Sequence, residues 1–452
     1  MRVDSMPLKS ARWASLLAAL VSIVLMPSEV RGAEHLPVDC RVGSYLLEDG
    51  SIVDVGNSTP PALRWRRPDG TSGALTGDPS HMTSTFGWTG RPDRHHFRFD
   101  CAQGRVVVDD VPGKRIPFVV QETRFDVVGA ELAGRLIMPP GKRRVPVVVL
   151  VHGSEDSSAL DFYALQRMFP ALGIGAFVYD KRGTGASSGT FTHDYRELGA
   201  DAAAALREAR RLAGRRAGRT GFQGSSQGGW VAPLAAELTS VDFIIVAYGL
   251  AVSPMQEDDE AIALDMTRHG FGAVETAKAL EIAHAAQRIV EANFQSGYED
   301  LAAVRAKYAA EPWARFVRGN LTGVILSRPA DEMRELGPKV FAGVIPHYDP
   351  MPVLRRLDVP QLWVLAADDI DAPVGETLRR LESLQAEGKR ISVVVYPRTE
   401  HGMYEFEVDS SGERLSTRQP ATYLPLMLDF IRGKLRASYG DSEIHRRTTA
   451  AQ

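Results

Sequence analysis

Gly224-Ser225-Ser226-Gln227-Gly228 stands between a short candidate strand and a candidate helix. The strand would cover residues 219–223, and the helix begins near Gly229, with Pro233 tolerated only close to its first turn. A strand, a Gly-x-Ser-x-Gly turn and a helix in this order predict a nucleophile elbow with Ser226 at its tip. We expect Gly224 and Gly228 to be required because the turn is strained and neighbouring chain passes close to it.

Strands and helices alternate on both sides of this turn. Because parallel strands covered on both faces read as continuous apolar runs, such runs predict a mostly parallel, doubly wound α/β sheet with helices on both faces. The polar, helical block at residues 252–347 interrupts the alternation, and we expect it to form an inserted cap over the carboxyl ends of the strands. Residues 440–452 are polar and are predicted to be disordered. The apolar runs lie at residues 146–151, 175–179, 243–247, 361–366 and 391–396.

The beginning of the chain is typical of a secretory signal peptide. Arg2, Lys9 and Arg12 precede an apolar run at residues 13–26, and small residues follow. We therefore expect residues 1–32 to be removed near Gly32 or Ala33 and the protein to be periplasmic or secreted. The run is short for a membrane span, so no stable membrane insertion is predicted after cleavage; an uncleaved anchor is the alternative.

Residues 34–121 differ from the rest, since short candidate strands alternate with turn signals and predict a small all-β N-terminal domain. The chain has only two cysteines, Cys40 and Cys101. In an oxidising compartment they favour one disulfide, with two free buried thiols as the alternative. The histidines of this segment lack metal-ligand spacing, so no metal and no cofactor is predicted. The net charge of −3 excludes an electrostatic attraction to nucleic acid.

A serine hydroxyl needs a base to take its proton and an acid to orient that base. Ser226 is followed along the chain by Asp369 and then by His401, each in a loop directly after a predicted core strand. This order predicts a catalytic triad, in which Asp368 and Asp371 are the alternatives to Asp369 as the acid. An ordinary histidine in this role predicts activity that falls in acid with an apparent pKa near 6–7.

An oxyanion hole requires two backbone N–H groups aimed at the developing negative charge. Gln227 directly follows the nucleophile and is expected to supply one of them. The loop after the first buried strand is expected to supply the other from Ser154, with Gly153 allowing a close approach. His152 is predicted to support this loop rather than to titrate in catalysis.

Taken together, the motifs resemble those of the α/β-hydrolase superfamily over about residues 122–436. They are Val151-His152-Gly153-Ser154, the Asp-x-Arg-Gly-x-Gly-x-Ser turn at residues 180–187, the elbow, and the acid and histidine loops. The resemblance implies a hydrolase core formed by residues 122–251 and 348–436. The segment at residues 249–254 is similar to bacterial secreted serine carboxylesterases related to the dienelactone-hydrolase and prolyl-oligopeptidase-type branches. An elbow with serine, not cysteine or aspartate, favours acyl transfer to water.

These features favour a serine carboxylesterase acting on a small-molecule ester. A secreted serine exopeptidase is the alternative, in which Glu257-Asp258-Asp259-Glu260 would fix the free amine of a peptide. Against that use of the four acids stands their interpretation as a solvated first turn of a helix. A catalytically inactive binding protein with a hydrolase fold is the third hypothesis. The oligomeric state is left open.

Overall fold

The computed structural model describes residues 39–58 and 62–446. The predicted signal peptide at residues 1–32 lies outside the described residues. None of the helices within these ranges combines the length and the apolar character that a membrane crossing requires.

The N-terminal part is a closed barrel of eight antiparallel strands, in which β8 returns to pair with β1. Alternate residues point inward, and Tyr45, Trp65 and Phe97 fill the interior. Cys40 and Cys101 form a disulfide, as predicted. Strands β4, β5 and β8 have a weak sequence signal, because few of their residues are apolar and glycine interrupts β4 and β8. The strands are β1 Gly43–Leu47, β2 Ile52–Ser58, β3 Ala62–Arg66, β4 Ser72–Asp78, β5 His81–Thr85, β6 Pro92–Asp100, β7 Arg105–Val108 and β8 Val111–Arg115.

The main body is a nine-stranded sheet in the order β20-β16-β15-β14-β13-β11-β12-β10-β9. The six strands from β16 to β12 in this order are parallel. Residues Val147, Val149 and Val151 of β11 face one core, while Val148 and Leu150 face the other. The predicted doubly wound α/β fold is thus confirmed. The strands are β9 Val119–Val127, β10 Ala130–Met138, β11 Val145–Val151, β12 Gly175–Tyr179, β13 Ala217–Ser225, β14 Phe243–Ala247, β15 Gln361–Ala366, β16 Ile391–Tyr396 and β20 Glu443–Arg446.

Helices cover both faces of this sheet. Those named α3, α4, α10 and α11 bury their apolar residues in the first core, and α1, α2 and α12 bury theirs in the second. They are α1 Ala159–Phe162, α2 Leu165–Ala171, α3 Tyr195–Ala213, α4 Gly228–Leu238, α10 Met351–Arg356, α11 Gly375–Ala386 and α12 Tyr423–Ile431.

The cap lies between β14 and β15 and has an apolar core of its own, which includes Met255, Ile262 and Trp313. Asp258 is fully buried, and its Oδ1 accepts hydrogen bonds from the backbone N–H groups of Leu321 and Thr322 at 2.8 and 3.1 Å. The solvated helix turn expected at residues 257–260 is therefore wrong for Asp258, which holds the start of another cap helix. The cap helices are α5 Pro254–Arg268, α6 Ala273–Glu291, α7 Tyr298–Lys307, α8 Asn320–Leu326 and α9 Ala330–Val340.

Two features near the C-terminus differ from the sequence-based expectation. The predicted disordered tail is wrong for β20, which pairs antiparallel with β16 and packs Ile444 against the second core. This pairing stabilises the segment, because without β20 the strand β16 would lie at the edge of the sheet with backbone hydrogen-bonding groups unpaired. Residues 447–452 lie outside the described ranges. A small three-stranded sheet, here called the histidine hairpin, consists of β17 Thr399–Glu400, β18 Tyr404–Val408 and β19 Arg414–Ser416.

Candidate active site

The turn between β13 and α4 carries Ser226 in a left-handed backbone conformation, with φ of 51°. Such a conformation is uncommon for a residue with a side chain and is characteristic of strained functional turns. The Ser226 N–H donates to the Ala247 carbonyl at 3.0 Å, which ties the turn to β14. A Cβ atom on Gly224 would lie 2.2 Å from the carbonyl oxygen of Gly228, and one on Gly228 would lie 2.3 Å from that of Val151. Only glycine fits at either position.

The structure brings Ser226, His401 and Asp369 together. Ser226 Oγ lies 3.1 Å from His401 Nε2, and His401 Nδ1 lies 2.9 Å from Asp369 Oδ2. The three residues follow β13, β16 and β15, which all end at the same edge of the sheet because they run parallel. The hydroxyl, the imidazole and the carboxylate therefore form one hydrogen-bonded series, in the geometry that proton transfer from a serine requires.

Among the three candidate acids, Asp369 is the one that accepts a hydrogen bond from His401. This residue is 2% exposed, and its Oδ1 accepts hydrogen bonds from the backbone N–H groups of Asp371 and Ala372 at 3.0 and 2.8 Å. Asp368 contributes its carbonyl to Arg414. The Asp371 carboxylate lies within 4.8 Å of the His401 ring, so Asp369, Asp371 and His401 also have the composition of a metal site. Since Asp369 and His401 are hydrogen-bonded to each other, an acid–base pair describes them better.

The electrostatic surroundings favour the charged form of His401. Burial disfavours the imidazolium, but the charge and hydrogen bond of Asp369 and the charges of Asp371 and Glu257 outweigh burial and raise the pKa of His401 to about 9. In the cap, burial raises the pKa of Glu257 to about 8, while the nearby His401 opposes that rise. The pKa near 6–7 expected from the sequence is lower because it does not include the effect of these carboxylates.

The loop after β11 passes directly beside the nucleophile. A Cβ on Gly153 would lie 3.3 Å from Ser226 Cβ and 2.6 Å from Glu155 Oε2, and Lys181 Nζ donates to the Gly153 carbonyl at 2.7 Å. Within the described part of the chain, the backbone N–H groups of Ser154 and Gln227 donate to no protein acceptor. Two unpaired N–H groups close to Ser226 are what an oxyanion hole needs.

His152 is buried at the base of this loop, with Nε2 3.2 Å from the Tyr179 carbonyl. Burial and the charge of Lys181 lower the pKa of His152 to about 3. It therefore stays neutral at ordinary pH, as a supporting residue would.

Sequence reasoning missed three residues of the site. Tyr248 has a φ of 42° and places its ring 5.0 Å from the ring of His401. His193 accepts a hydrogen bond at Nδ1 from the Gln227 side-chain amide at 2.7 Å. Asn320, in the cap, donates to Glu257 Oε1 at 3.1 Å and to the Asp371 carbonyl at 2.5 Å. Only Tyr248 carried a sequence signal, because it follows a core strand at the edge where ligands bind.

Residues 148–415 match the profile of the Alpha/beta hydrolase family, which is more than half of the chain. The chain therefore belongs to the alpha/beta hydrolase family. No curated protein matches its sequence.

Solved structures that are similar include two peptidases and an esterase. Pyrococcus horikoshii acylaminoacyl peptidase is 14% identical, with 86% of this chain and 57% of that chain covered and a TM-score of 0.42. A Mycobacterium tuberculosis puromycin-hydrolyzing peptidase is 16% identical, with coverage of 87% and 53% and a TM-score of 0.44. An esterase from Pyrobaculum calidifontis is 18% identical, with coverage of 64% and 79% and a TM-score of 0.38. The chain spans little more than half the length of either peptidase, and likeness at this level distinguishes neither activity.

Proposed function

We propose that the protein is a serine hydrolase that cleaves carboxylic esters through an acyl-enzyme intermediate. The observation that carries the proposal is the hydrogen-bonded series from Ser226 Oγ through His401 to Asp369, at 3.1 and 2.9 Å. A serine hydroxyl is a weak nucleophile unless a positioned base accepts its proton, and this series supplies both the base and its orienting acid.

In the first half of the reaction, Ser226 Oγ attacks the ester carbonyl while His401 Nε2 takes the hydroxyl proton. Asp369 accepts a hydrogen bond from the Nδ1 side of the ring, which fixes the tautomer and stabilises the imidazolium. The backbone N–H groups of Gln227 and Ser154 would stabilise the oxyanion. His401 Nε2 then gives its proton to the leaving alcohol, and the acyl group remains on Ser226.

In the second half, water takes the place of the alcohol. The water attacks the acyl carbonyl while His401 accepts a proton from it. That proton then passes to Ser226 Oγ as the acid leaves. Asp369 keeps its orientation throughout, because two backbone N–H groups hold its second oxygen. The strained elbow keeps the serine at the tip of its turn, so little reorganisation is needed.

A serine exopeptidase is the second candidate, and the placement of Glu257 favours it. This carboxyl group belongs to the cap, is held by Asn320 and lies close enough to His401 and Asp369 to interact electrostatically with both. Among the described residues, no lysine or arginine forms an ion pair with Glu257. A substrate ammonium group would favour the ionised form of Glu257 and pair with it beside the scissile bond.

The proposal is tested with two matched substrate series: p-nitrophenyl esters of graded acyl length and aminoacyl p-nitroanilides. We expect ester hydrolysis that is lost in Ser226→Ala. Faster turnover of the anilides, reduced in Glu257→Gln but not in the exposed cap variant Glu335→Gln, would establish the exopeptidase instead. No turnover of either series by the folded protein would contradict both candidates.

A further inference from the structure

The barrel presents a charged face to the hydrolase core. Leu63 and Trp65 of β3 point into the barrel, so the alternate residues Arg64 and Arg66 point outward. Opposite Arg66 on β2 is Asp54, which forms a two-point ion pair with Arg167 of α2 at 2.8 and 2.9 Å. This part of the junction therefore brings Arg64, Arg66 and Arg167 together with the carboxylate of Asp54.

That carboxylate is already fully used. Asp54 accepts from Arg167 at both oxygens and from the Ser44 hydroxyl at 2.8 Å. Arg64 donates Nη1 to the Gly87 carbonyl at 2.9 Å and stacks 3.9 Å from the centre of the Trp88 ring, while its Nε has no partner. Neither Arg64 nor Arg66 forms an ion pair with any carboxylate in the described part of the chain. Within that part of the chain, both guanidinium groups therefore lack an ion-pair partner.

Arg66 is the more unusual of the two. Its side chain makes no hydrogen bond within the described residues, and its Nη1 is fully buried. Burial lowers the pKa of Arg66, and it lowers the pKa of Arg64 to about 10, which shows how unfavourable the surroundings are for their charges. The residue remains partly exposed, so a small ion can reach it from solvent.

Tyr404 brings a phenol close to these arginines, since its ring and the Arg64 guanidinium both contact the Trp88 ring. Burial raises the pKa of Tyr404, while the charges of Arg66 and then Arg64 oppose that rise, so the phenol lies in the field of both guanidinium groups. The Tyr404 ring lies 4.3 Å from the Trp88 ring and belongs to the histidine hairpin, three residues after His401.

We propose that Arg64, Arg66 and Tyr404 form a binding site for a small oxyanion, a carboxylate or a phosphate, between the barrel and the histidine hairpin. A guanidinium group binds both kinds of anion through two parallel N–H donors, and a phenol adds a third donor. A bound oxyanion would offset the two unpaired charges and join the barrel to the hairpin. This site is separate from Ser226 and does not depend on ester hydrolysis.

The test compares the wild type with Arg66→Gln in thermal unfolding and in titration calorimetry. The salts are potassium phosphate, potassium acetate and potassium chloride at equal ionic strength. We expect phosphate or acetate to bind the wild type at one site and to raise its unfolding temperature in a saturable way. In Arg66→Gln the apparent affinity should fall at least about tenfold, because the two-point donor is lost. Arg98→Gln, an exposed arginine of the same barrel, is the matched control and should bind like the wild type.

The order of stabilities provides a second readout. In chloride, Arg66→Gln should be at least as stable as the wild type, since it removes a buried unpaired charge; in the binding anion the order should reverse. If Arg66→Gln does not fold, Tyr404→Phe and Arg66→Lys should each weaken binding. Binding of acetate but not phosphate, or of phosphate but not acetate, would support the site and identify the type of ligand. The proposal would be overturned if every salt stabilised the wild type and Arg66→Gln equally, or if no salt stabilised the wild type. The two arginines would then be solvated by water alone.

Discussion

The barrel and the cap both contact loops that carry the candidate active site, but they hold different parts of it. The barrel contacts the histidine hairpin, where the Trp88 N–H donates to the Ser416 carbonyl at 2.9 Å. The cap contacts the acid loop and the elbow. Asn320 donates to the Asp371 carbonyl at 2.5 Å, and the Ala342 carbonyl accepts from the N–H of His193, whose ring contacts Gln227.

The two regions also differ in how they attach. The barrel is joined to the core by a buried ion pair between Asp54 and Arg167, and its apolar core is separate from those of the sheet. The cap brings the Asn320 amide and the Glu257 carboxyl group close to the reacting groups, and its Ala342 carbonyl contacts His193. We infer that changes at the barrel contacts act mainly on stability, whereas changes at the cap contacts act mainly on the rate of the reaction.

The largest effect should come from the acid loop that the cap touches. Asp369→Asn should lower kcat by about 10⁴, because the hydrogen bond that fixes the tautomer of His401 is lost. Asp371→Asn is the matched control and should lower kcat far less, since the carboxylate hydrogen-bonded to His401 is that of Asp369. Steady-state ester kinetics with circular dichroism as a folding control measure both, and the opposite order of effects would move the acid to Asp371.

The next effect concerns pH. His401 acts as a base only when neutral, and its pKa is raised to about 9, so kcat/KM should rise with pH and level off above about 9. From pH 9 to pH 7, kcat/KM should fall roughly 50-fold or more, because the neutral fraction of His401 falls about tenfold per pH unit well below its pKa. In Glu257→Gln the rise should move to lower pH, because a negative charge that favours the imidazolium is removed. A flat profile from pH 6 to 9 would contradict the role of His401.

A smaller effect should follow from cutting the connection between the cap and the elbow. Burial and the charge of Lys181 lower the pKa of His193 to about 4, so its neutral ring accepts the Gln227 amide at ordinary pH. His193→Ala should lower kcat about tenfold with little change in KM, since the backbone N–H of Gln227 is then held less firmly. His193→Asn, which keeps an acceptor, should recover part of the loss. His284→Ala, at an exposed cap histidine, should have no effect; a change in KM alone for His193→Ala would show a role in substrate binding instead.

The smallest effect on activity should come from the barrel. Asp54→Asn leaves Arg167 without its buried partner and should lower the free energy of unfolding by about 3–5 kcal/mol. The folded fraction should keep its ester activity within about threefold. Arg91→Ala, which removes an exposed ion pair with Glu407, should cost less than about 1 kcal/mol. A large loss of kcat in folded Asp54→Asn would show that the barrel also acts on the reaction.

The fold could be predicted to the extent that local patterns determine it. Strands β12, β14, β15 and β16 begin and end at the predicted residues, because continuous apolar runs specify them. The order of Ser226, Asp369 and His401 pointed to the residues that the structure brings together, since each follows a core strand. The histidine hairpin and β20 were missed, because their pairing depends on partners far away in the sequence.

The site residues divide in the same way into those with a local sequence pattern, which could be predicted, and those that depend on distant contacts, which could not. Asp369 carries a signal in its spacing to the strand before it and to Pro373. Asn320 and His193 carry none, because their roles depend on contacts made by a folded cap. The charge of Glu257 was visible in the sequence, but its burial beside His401 was not. Tertiary burial, not residue type, decides which of the four acids at residues 257–260 faces the site.

Covalent labelling with a fluorophosphonate, followed by peptide mapping, tests directly whether His401 activates Ser226. A serine activated by His401 should react once per chain, with the adduct on Ser226, and faster at pH 9 than at pH 7. Ser226→Ala should not be labelled, and Asp369→Asn should be labelled much more slowly. A folded protein that remains unlabelled, or that carries its adduct on another serine, would show that Ser226 is not the nucleophile.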